Sequence, residues 1–377
     1  MISAPAPGLR EPALFFLYIS SMKRRSFLKG AAWAVAGAAA APVLSACSRN
    51  SSRPDSSVAG IFRFGPGGTF KVLQFTDTHY IKGDPRSERA LRCVEEMIAA
   101  EKPDLIIHTG DIVFGRPDIE SALEILKPLA DSGIPWAVAL GNHDSQFGST
   151  REAMFEAIRS LPGCINRPPK EGVYGCSNDV ITLSGPGGPE HVFYLFDSMD
   201  AVVLEGEEEI HCYDYIRHNQ IAWYRAHSER FARENGGASV PSMAFFHIPL
   251  CELSEALAAG VQPVCGNNGE PPCPSRLNSG LFAQFREMGD VKAIVTGHDH
   301  DCDYVLDYGQ IHFIYGRFSG SDTIYNHLGI DGYIPSDTHT APGTVSGCRV
   351  FEFRKGNPGF RTWVRLSGGY IQQDCSL

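Results

Sequence analysis

Three short polar motifs, each placed just after an apolar run, constrain the architecture this chain can adopt. Asp77 follows the run 69–75, Asp111 follows 104–108, and Asn142 follows 136–140. Asp77 to Asp111 is about 34 residues and Asp111 to Asn142 about 31, each close to the roughly 30 residues of one strand–helix–strand unit. The apolar runs read as buried strands, while 88–101 and 118–132 between them carry helical periodicity. An open α/β sheet places its functional groups outside the carboxyl ends of its strands. The three motifs should therefore lie side by side on one rim.

The second half repeats the alternation: helix over 220–235, strand over 243–246, helix over 279–288, strand over 291–295. Segments 304–307, 311–315, 348–353 and 361–366 then read as mostly antiparallel strands. No internal repeat interrupts this, so one catalytic domain over 61–377 is expected.

Five segments carry residue types that bind metals: Asp77-Thr78-His79, Gly110-Asp111, Gly141-Asn142-His143-Asp144, His247 and Gly297-His298-Asp299-His300. In extended backbone, residues two apart point to the same side, so Asp77 with His79, and His298 with His300, can each aim two donors at one point. Carboxylate, imidazole and amide oxygen together suit first-row divalent metals. Gly110, Gly141 and Gly297 allow tight turns and close backbone approach. Asp299 should face away from its two neighbours as a structural residue.

In this order, each at a strand end, these motifs resemble the calcineurin-like metallophosphoesterase family over most of 70–315. The resemblance implies a four-layer αββα sandwich, with two mixed sheets flanked by helices. It implies one ion on Asp77, His79, Asp111 and His300, and a second on Asp111, Asn142, His247 and His298, with Asp111 shared. In such a centre two ions, roughly 3.5–4 Å apart, bind the phosphoryl oxygens and a bridging hydroxide that attacks phosphorus. His143, with no ion assigned, is then the candidate acid, protonating the leaving oxygen or bracing the transition state, and Asp144 is expected to orient it. The stretches Ala99-Ala100-Glu101-Lys102-Pro103-Asp104 and Gln220-Ile221-Ala222-Trp223-Tyr224 resemble the purple acid phosphatase-related branch. True purple enzymes place a metal-binding Tyr three residues after the shared Asp; Phe114 stands there, so Mn, Fe(II) or Zn is expected instead.

Other candidates have competing readings. His108 is read as a packed, hydrogen-bonded strand residue. Arg317 could contact a substrate phosphate or form a structural ion pair. The segments 260–280 and 316–346 are expected to be rims or lids that set specificity.

The N-terminus reads as an export signal. Arg24-Arg25 precede the Ala-rich stretch 30–44, an order that resembles a twin-arginine signal starting at Met22. Leu44-Ser45-Ala46-Cys47 resembles a lipobox, making Cys47 the lipidated first residue of a periplasmic or cell-envelope lipoprotein. Residues 48–60 read as a flexible tether. Loss of 1–46 removes five basic residues and one acid, so a formal net charge of −10 becomes about −14. An acidic body with no basic stripe argues against nucleic-acid partners. Export favours disulfides, with Cys265 and Cys273 the expected pair.

The function expected is hydrolysis of small phosphate esters, monoesters favoured. A phosphodiesterase of the same fold and a non-catalytic metal-binding lipoprotein are the alternatives.

Overall fold

The computed structural model describes residues 58–204, 210–321 and 345–377. The expected leader, Cys47 and all but the last residues of the tether lie outside them. In chain order the first strands are β1 (Gly60–Arg63), β2 (Thr69–Phe75), β3 (Leu105–His108), β4 (Trp136–Val138), β5 (Asp179–Gly185) and β6 (Gly188–Leu195). Next come β7 (Ala201–Leu204), β8 (Ile210–Tyr213), β9 (Ser242–Phe245), β10 (Val291–Thr296) and β11 (Val305–Tyr308). The last are β12 (Ile311–Tyr315), β13 (Gly347–Arg354), β14 (Phe360–Leu366) and β15 (Ile371–Ser376). The helices are α1 (Glu88–Glu101), α2 (Asp118–Ile125), α3 (Lys127–Asp131), α4 (Arg151–Arg159), α5 (His218–Glu234), α6 (Cys251–Ala258) and α7 (Leu281–Met288).

Two mixed sheets result. One runs β15-β14-β13-β2-β3-β4, with β2, β3 and β4 parallel; the other runs β1-β5-β6-β9-β10-β12-β11, with β6, β9, β10 and β12 parallel. Side-chain alternation divides each central strand between two apolar layers. Val72, Leu105 and Ile107 meet Phe193, Phe245 and Val295 between the sheets. Leu73, Phe75 and Ile106 face outward under α1 to α4, and Tyr194, Phe246 and Ile294 face outward under α5 to α7. Helix α1 buries Ala90, Cys93, Val94 and Met97, a single stripe at helical spacing.

Several expectations need correction. The helix expected over 118–132 is two helices, because Pro128 in the first turn of α3 cannot continue the hydrogen-bond ladder of α2. The mostly antiparallel pairing expected after β10 is found, β11 with β12 and β13 with β2 and β14, the exception being β12, which is parallel to β10. The folded body begins before the expected boundary at 61: Val58 is buried, Ala59 N–H donates to Val180 O at 2.7 Å, and Gly60 opens β1. Cys265 and Cys273 are unbonded thiols. They are anchored to different elements, Cys265 beside Cys375 and in a bridge with Val305, Cys273 with its N–H on the Asp299 carboxylate.

One buried ion pair joins the sheets near their carboxyl ends. Arg151 Nε and Nη2 donate to Asp197 Oδ1, after β6, at 3.0 and 2.6 Å. The same guanidinium donates to Leu140 O and Gly141 O, after β4, at 2.9 and 2.8 Å. Burial alone would raise the Asp197 carboxyl, but Arg151 and the Ser177 and Cys176 amides hold it below its ordinary value. The stability this pair contributes is therefore fully present above the unfolded carboxyl value, about 3.9, and is lost as pH falls through the lowered native value. Arg151→Met strands the buried carboxylate and should cost about 3–5 kcal/mol at neutral pH, read as a lower urea midpoint; an unchanged midpoint would show that the pair does not join the sheets.

Candidate metal centre

The rim where β2, β3, β4, β9 and β10 end collects all five motifs. Asp77 and His79 lie in the turn after β2, Asp111 after β3, and Asn142 and His143 after β4; His247 follows β9, and His298 and His300 follow β10. Their backbone is not extended. Asp77, His79, Asp111 and His298 have φ of 55°, 46°, 53° and 81°, so turns rather than strand alternation aim these side chains. Left-handed backbone at non-glycine residues costs of order 1–3 kcal/mol each and persists only where the surroundings enforce it. Close packing does so here: a Cβ on Gly141 would collide with Asp111 Oδ1, and one on Gly297 with Thr76 Oγ1.

The donors fall into two buried groups, Asp77 with His79 and His300, and Asp111 with His247 and His298; within each, the donor atoms lie within 4.8 Å of one another. Asp111 stands between them. Its Oδ1 accepts the His143 N–H at 2.8 Å, while its Oδ2 is 3.1 Å from His247 Nε2 and 3.5 Å from His79 Nε2. Asp77 Oδ1 is 3.4 Å from His300 Nε2 and 3.7 Å from His79 Nε2, and its carboxylate also accepts the His298 N–H. His247 Nδ1 meets Thr109 O at 2.8 Å, so that nitrogen carries the hydrogen and Nε2 turns to the centre.

Burial would raise both carboxyls, but the histidines outweigh it: His247, His300 and His79 hold Asp77 ionised, and His247 and His143 hold Asp111 ionised. Conversely, burial lowers His79 to about 4 and His298 to about 3, while Asp111 and Asp77 override burial at His247 and push it to about 9. Asn142 is fully buried, and neither its Oδ1 nor its Nδ2 has a hydrogen-bond partner. An orphaned amide beside two ionised carboxylates and four imidazoles fits divalent cations of the first transition row.

Residues 70–302 match the family model described as Calcineurin-like phosphoesterase. This chain belongs to that family. It is 31% identical to the probable inactive purple acid phosphatase 29 of Arabidopsis thaliana over 82% of this chain and 85% of that protein. It is 26% identical to phosphatase DCR2 of Saccharomyces cerevisiae over 80% of this chain and 54% of that protein. A dimetal phosphatase from Danio rerio has the same fold, with a TM-score of 0.53 at 13% identity, covering 81% of this chain and 98% of that one. Calcineurin-like phosphoesterases use a pair of divalent metals, and this member has two groups of residues placed to hold one.

Around that centre, several roles differ from the sequence expectation. Asp144 does not orient His143. Its carboxylate accepts the backbone N–H groups of Gly141, Asp111, Ile112 and Val113 at 2.8, 3.1, 2.7 and 3.3 Å, locking the loops after β3 and β4 together. The partner of His143 Nδ1 is Gln146 Oε1 at 2.6 Å, and Gln146 Nε2 donates to Asp200 Oδ1 at 2.6 Å; neither residue was singled out from sequence. Arg317 is in a structural ion pair with Asp303 at 2.8 Å and donates twice to Val345 O, so the phosphate-contact reading does not hold. His108 is packed and bonded, its Nδ1 accepting the Gly110 N–H and its Nε2 meeting Thr78 Oγ1. Asp299 accepts Tyr315 Oη at 2.5 Å, away from the donors. Phe114 lies edge-on to His79 and His143 at 4.8 and 4.5 Å.

The segment 260–280 is tied to β11 and to the turn before it. Cys265 and Asn268 bridge to Val305 and Cys302, and Glu270 accepts the Asp301 N–H just beyond His300. Most of 316–346 lies outside the described residues.

Asp144→Ala should strand four buried amides, those of Gly141, Asp111, Ile112 and Val113, at about 1–3 kcal/mol for each such group, and lower stability and bound metal together. A variant of unchanged stability that loses turnover alone would return Asp144 to the orienting role.

Proposed function

We propose that this chain is an exported, metal-dependent phosphoesterase that hydrolyses small phosphate esters, monoesters in preference. The observation that carries the reading is the placement of Asp111 Oδ2 between two groups of buried donors, 3.1 Å from His247 and 3.5 Å from His79. Divalent ions held by Asp77, His79, Asp111 and His300, and by Asp111, Asn142, His247 and His298, would bind phosphoryl oxygens and lower the pKa of water to supply hydroxide.

The chain's own residues supply orientation and a proton. Thr109 O fixes the tautomer of His247, and the backbone amides on Asp77 and Asp111 fix their carboxylates. His143 sits beside the centre, its Nε2 3.8 Å from Asp111 Oδ2. Burial lowers its proton affinity in the free protein, and the negative charge of a bound phosphate acts in the opposite sense. The protonated ring would then form with substrate in place, and Nε2 would pass its proton to the leaving oxygen.

The plant relative is named inactive and the yeast relative a phosphatase. Here every donor position and His143 carries a competent residue type, which favours hydrolysis over a purely metal-binding role. Arg24-Arg25 and Cys47 support export by the twin-arginine route and a lipid anchor in the cell envelope.

The test strips the protein of metal, reloads it with Mn, Zn or Fe, and assays an aryl monoester and an aryl diester. Metal-dependent hydrolysis with the monoester faster is expected; no hydrolysis of either would sink the enzyme reading, and a faster diester would make the chain a phosphodiesterase. His143→Ala should keep its metal while kcat falls about 10²–10⁴-fold. In cells, Arg24→Lys with Arg25→Lys should trap the protein in the cytoplasm, and Cys47→Ala should release it from the membrane fraction; unchanged fractionation of both would overturn the export reading.

A further inference from the structure

A 3₁₀ turn, His143–Ser145, carries the candidate acid and ends on Gln146, whose N–H donates to His143 O at 3.2 Å. Side chains three apart in such a turn eclipse, so the Gln146 amide lies against the His143 ring. The chain of bonds His143 Nδ1–Gln146 Oε1 and Gln146 Nε2–Asp200 Oδ1, each 2.6 Å, has a fixed direction. A carboxylate only accepts, so the amide NH₂ must face Asp200 and the amide oxygen must face the ring. The ring nitrogen at that oxygen then carries the hydrogen, and Nε2 is the nitrogen turned to the centre. Asp200 is itself held, its carbonyl accepting the Asp214 N–H at 3.1 Å. Phe114, edge-on at 4.5 Å, and Phe147, stacked at 6.3 Å, set the plane of the ring but cannot choose its tautomer.

We propose that Gln146 and Asp200 are positioning residues that hold His143 as the Nδ1–H tautomer, so that Nε2 alone exchanges a proton with the substrate. The consequence for turnover rests on the phosphoesterase reading; the consequence for the tautomer does not. In the reaction, phosphorus gains a bond to the attacking water oxygen and loses its bond to the leaving oxygen, which keeps that electron pair. Nε2 first takes a proton from solvent as the ester binds. The leaving oxygen then takes that proton while the electrons of the broken N–H bond stay on the ring, and the attacking water releases one of its protons to solvent. Nδ1–H remains on Gln146 throughout, so the ring returns each time with its lone pair facing the centre.

The test compares the zinc-loaded wild type, Gln146→Met, and the double variant Gln146→Glu with Asp200→Asn. In the double variant the new carboxylate accepts from Nδ1 and from the new amide NH₂, restoring the same direction. Nitrogen-15 NMR, with His143→Ala assigning the resonance, should give Nδ1–H in the wild type and double variant and a mixed or reversed tautomer in Gln146→Met. With metal content equal, Gln146→Met should lose about 10–100-fold in kcat with KM little changed. The loss should be larger for an alkyl phosphate, whose leaving oxygen needs the proton, than for a nitrophenyl phosphate. The double variant should recover most of it. Nε2–H in the wild type, a Gln146→Met variant with unaltered tautomer, or equal losses on both substrates would overturn the proposal. If the wild type hydrolyses neither ester, the phosphoesterase reading falls and the NMR comparison alone decides this one.

Discussion

Two carboxylates, Asp77 and Asp111, remain ionised while buried where two sheets meet, and most of the local structure answers to that constraint. Taking a carboxylate out of water costs several kcal/mol unless charge or hydrogen bonds replace the water. Backbone amides replace part of it, His298 N–H on Asp77 and His143 N–H on Asp111. Imidazoles replace the rest, and in the protein alone the proton that Asp111 and Asp77 hold on His247 supplies the balancing charge. Histidine suits this position because it can surrender that proton to an incoming cation and keep a lone pair for it. A lysine would neutralise the carboxylates and offer nothing to an ion at neutral pH.

Both sheets are needed to build that point. Asp77, Asp111 and Asn142 come from the parallel strands of one sheet, and His247, His298 and His300 from the parallel strands of the other. The apolar layer between the sheets fixes their separation, and the Arg151–Asp197 pair pins the loop after β4 to the end of β6. The left-handed backbone at Asp77, His79, Asp111 and His298 is the local consequence: donors that leave their strands on straight paths would not converge, and sharp turns make them do so.

The parts legible in the sequence are those where local pattern and tertiary role coincide. Strand β2 and helix α1 appear with their bounds because apolar spacing there is strong and uninterrupted. The donors stood out because each follows a buried strand. Strands β5 and β6 flank the Gly185 to Gly188 turn, a comparable hairpin signal in the sequence with no chemical motif attached to it. Asp144 was assigned to His143 by adjacency, yet neighbours in a 3₁₀ turn point about 120° apart, and its carboxylate reaches backbone instead. Gln146, three residues on, is the one that eclipses the ring. Asp200 is 54 residues from Gln146 and becomes visible only when β6 has delivered it to the rim.

The placement of the arginines bears on how an acidic protein could bind an anionic ester. Among the described residues the buried arginines are Arg151, Arg317 and Arg349. Arg151 is held by Asp197 and two carbonyls, Arg317 by Asp303 and Val345 O, and Arg349 by the Tyr315 and Asp303 carbonyls and Gln373. Each ties segments of backbone together, and none is offered to a ligand at the centre. Beyond His300, Glu270 adds negative charge rather than positive. Attraction for a phosphate must then come from the cations that Asp77, Asp111 and the histidines are arranged to hold, since these are the largest local charges such a site can have. The carboxylates that hold a proton on His247 are the ones that would hold cations attractive to phosphate, and a formal charge of −10 for the whole chain does not decide the matter.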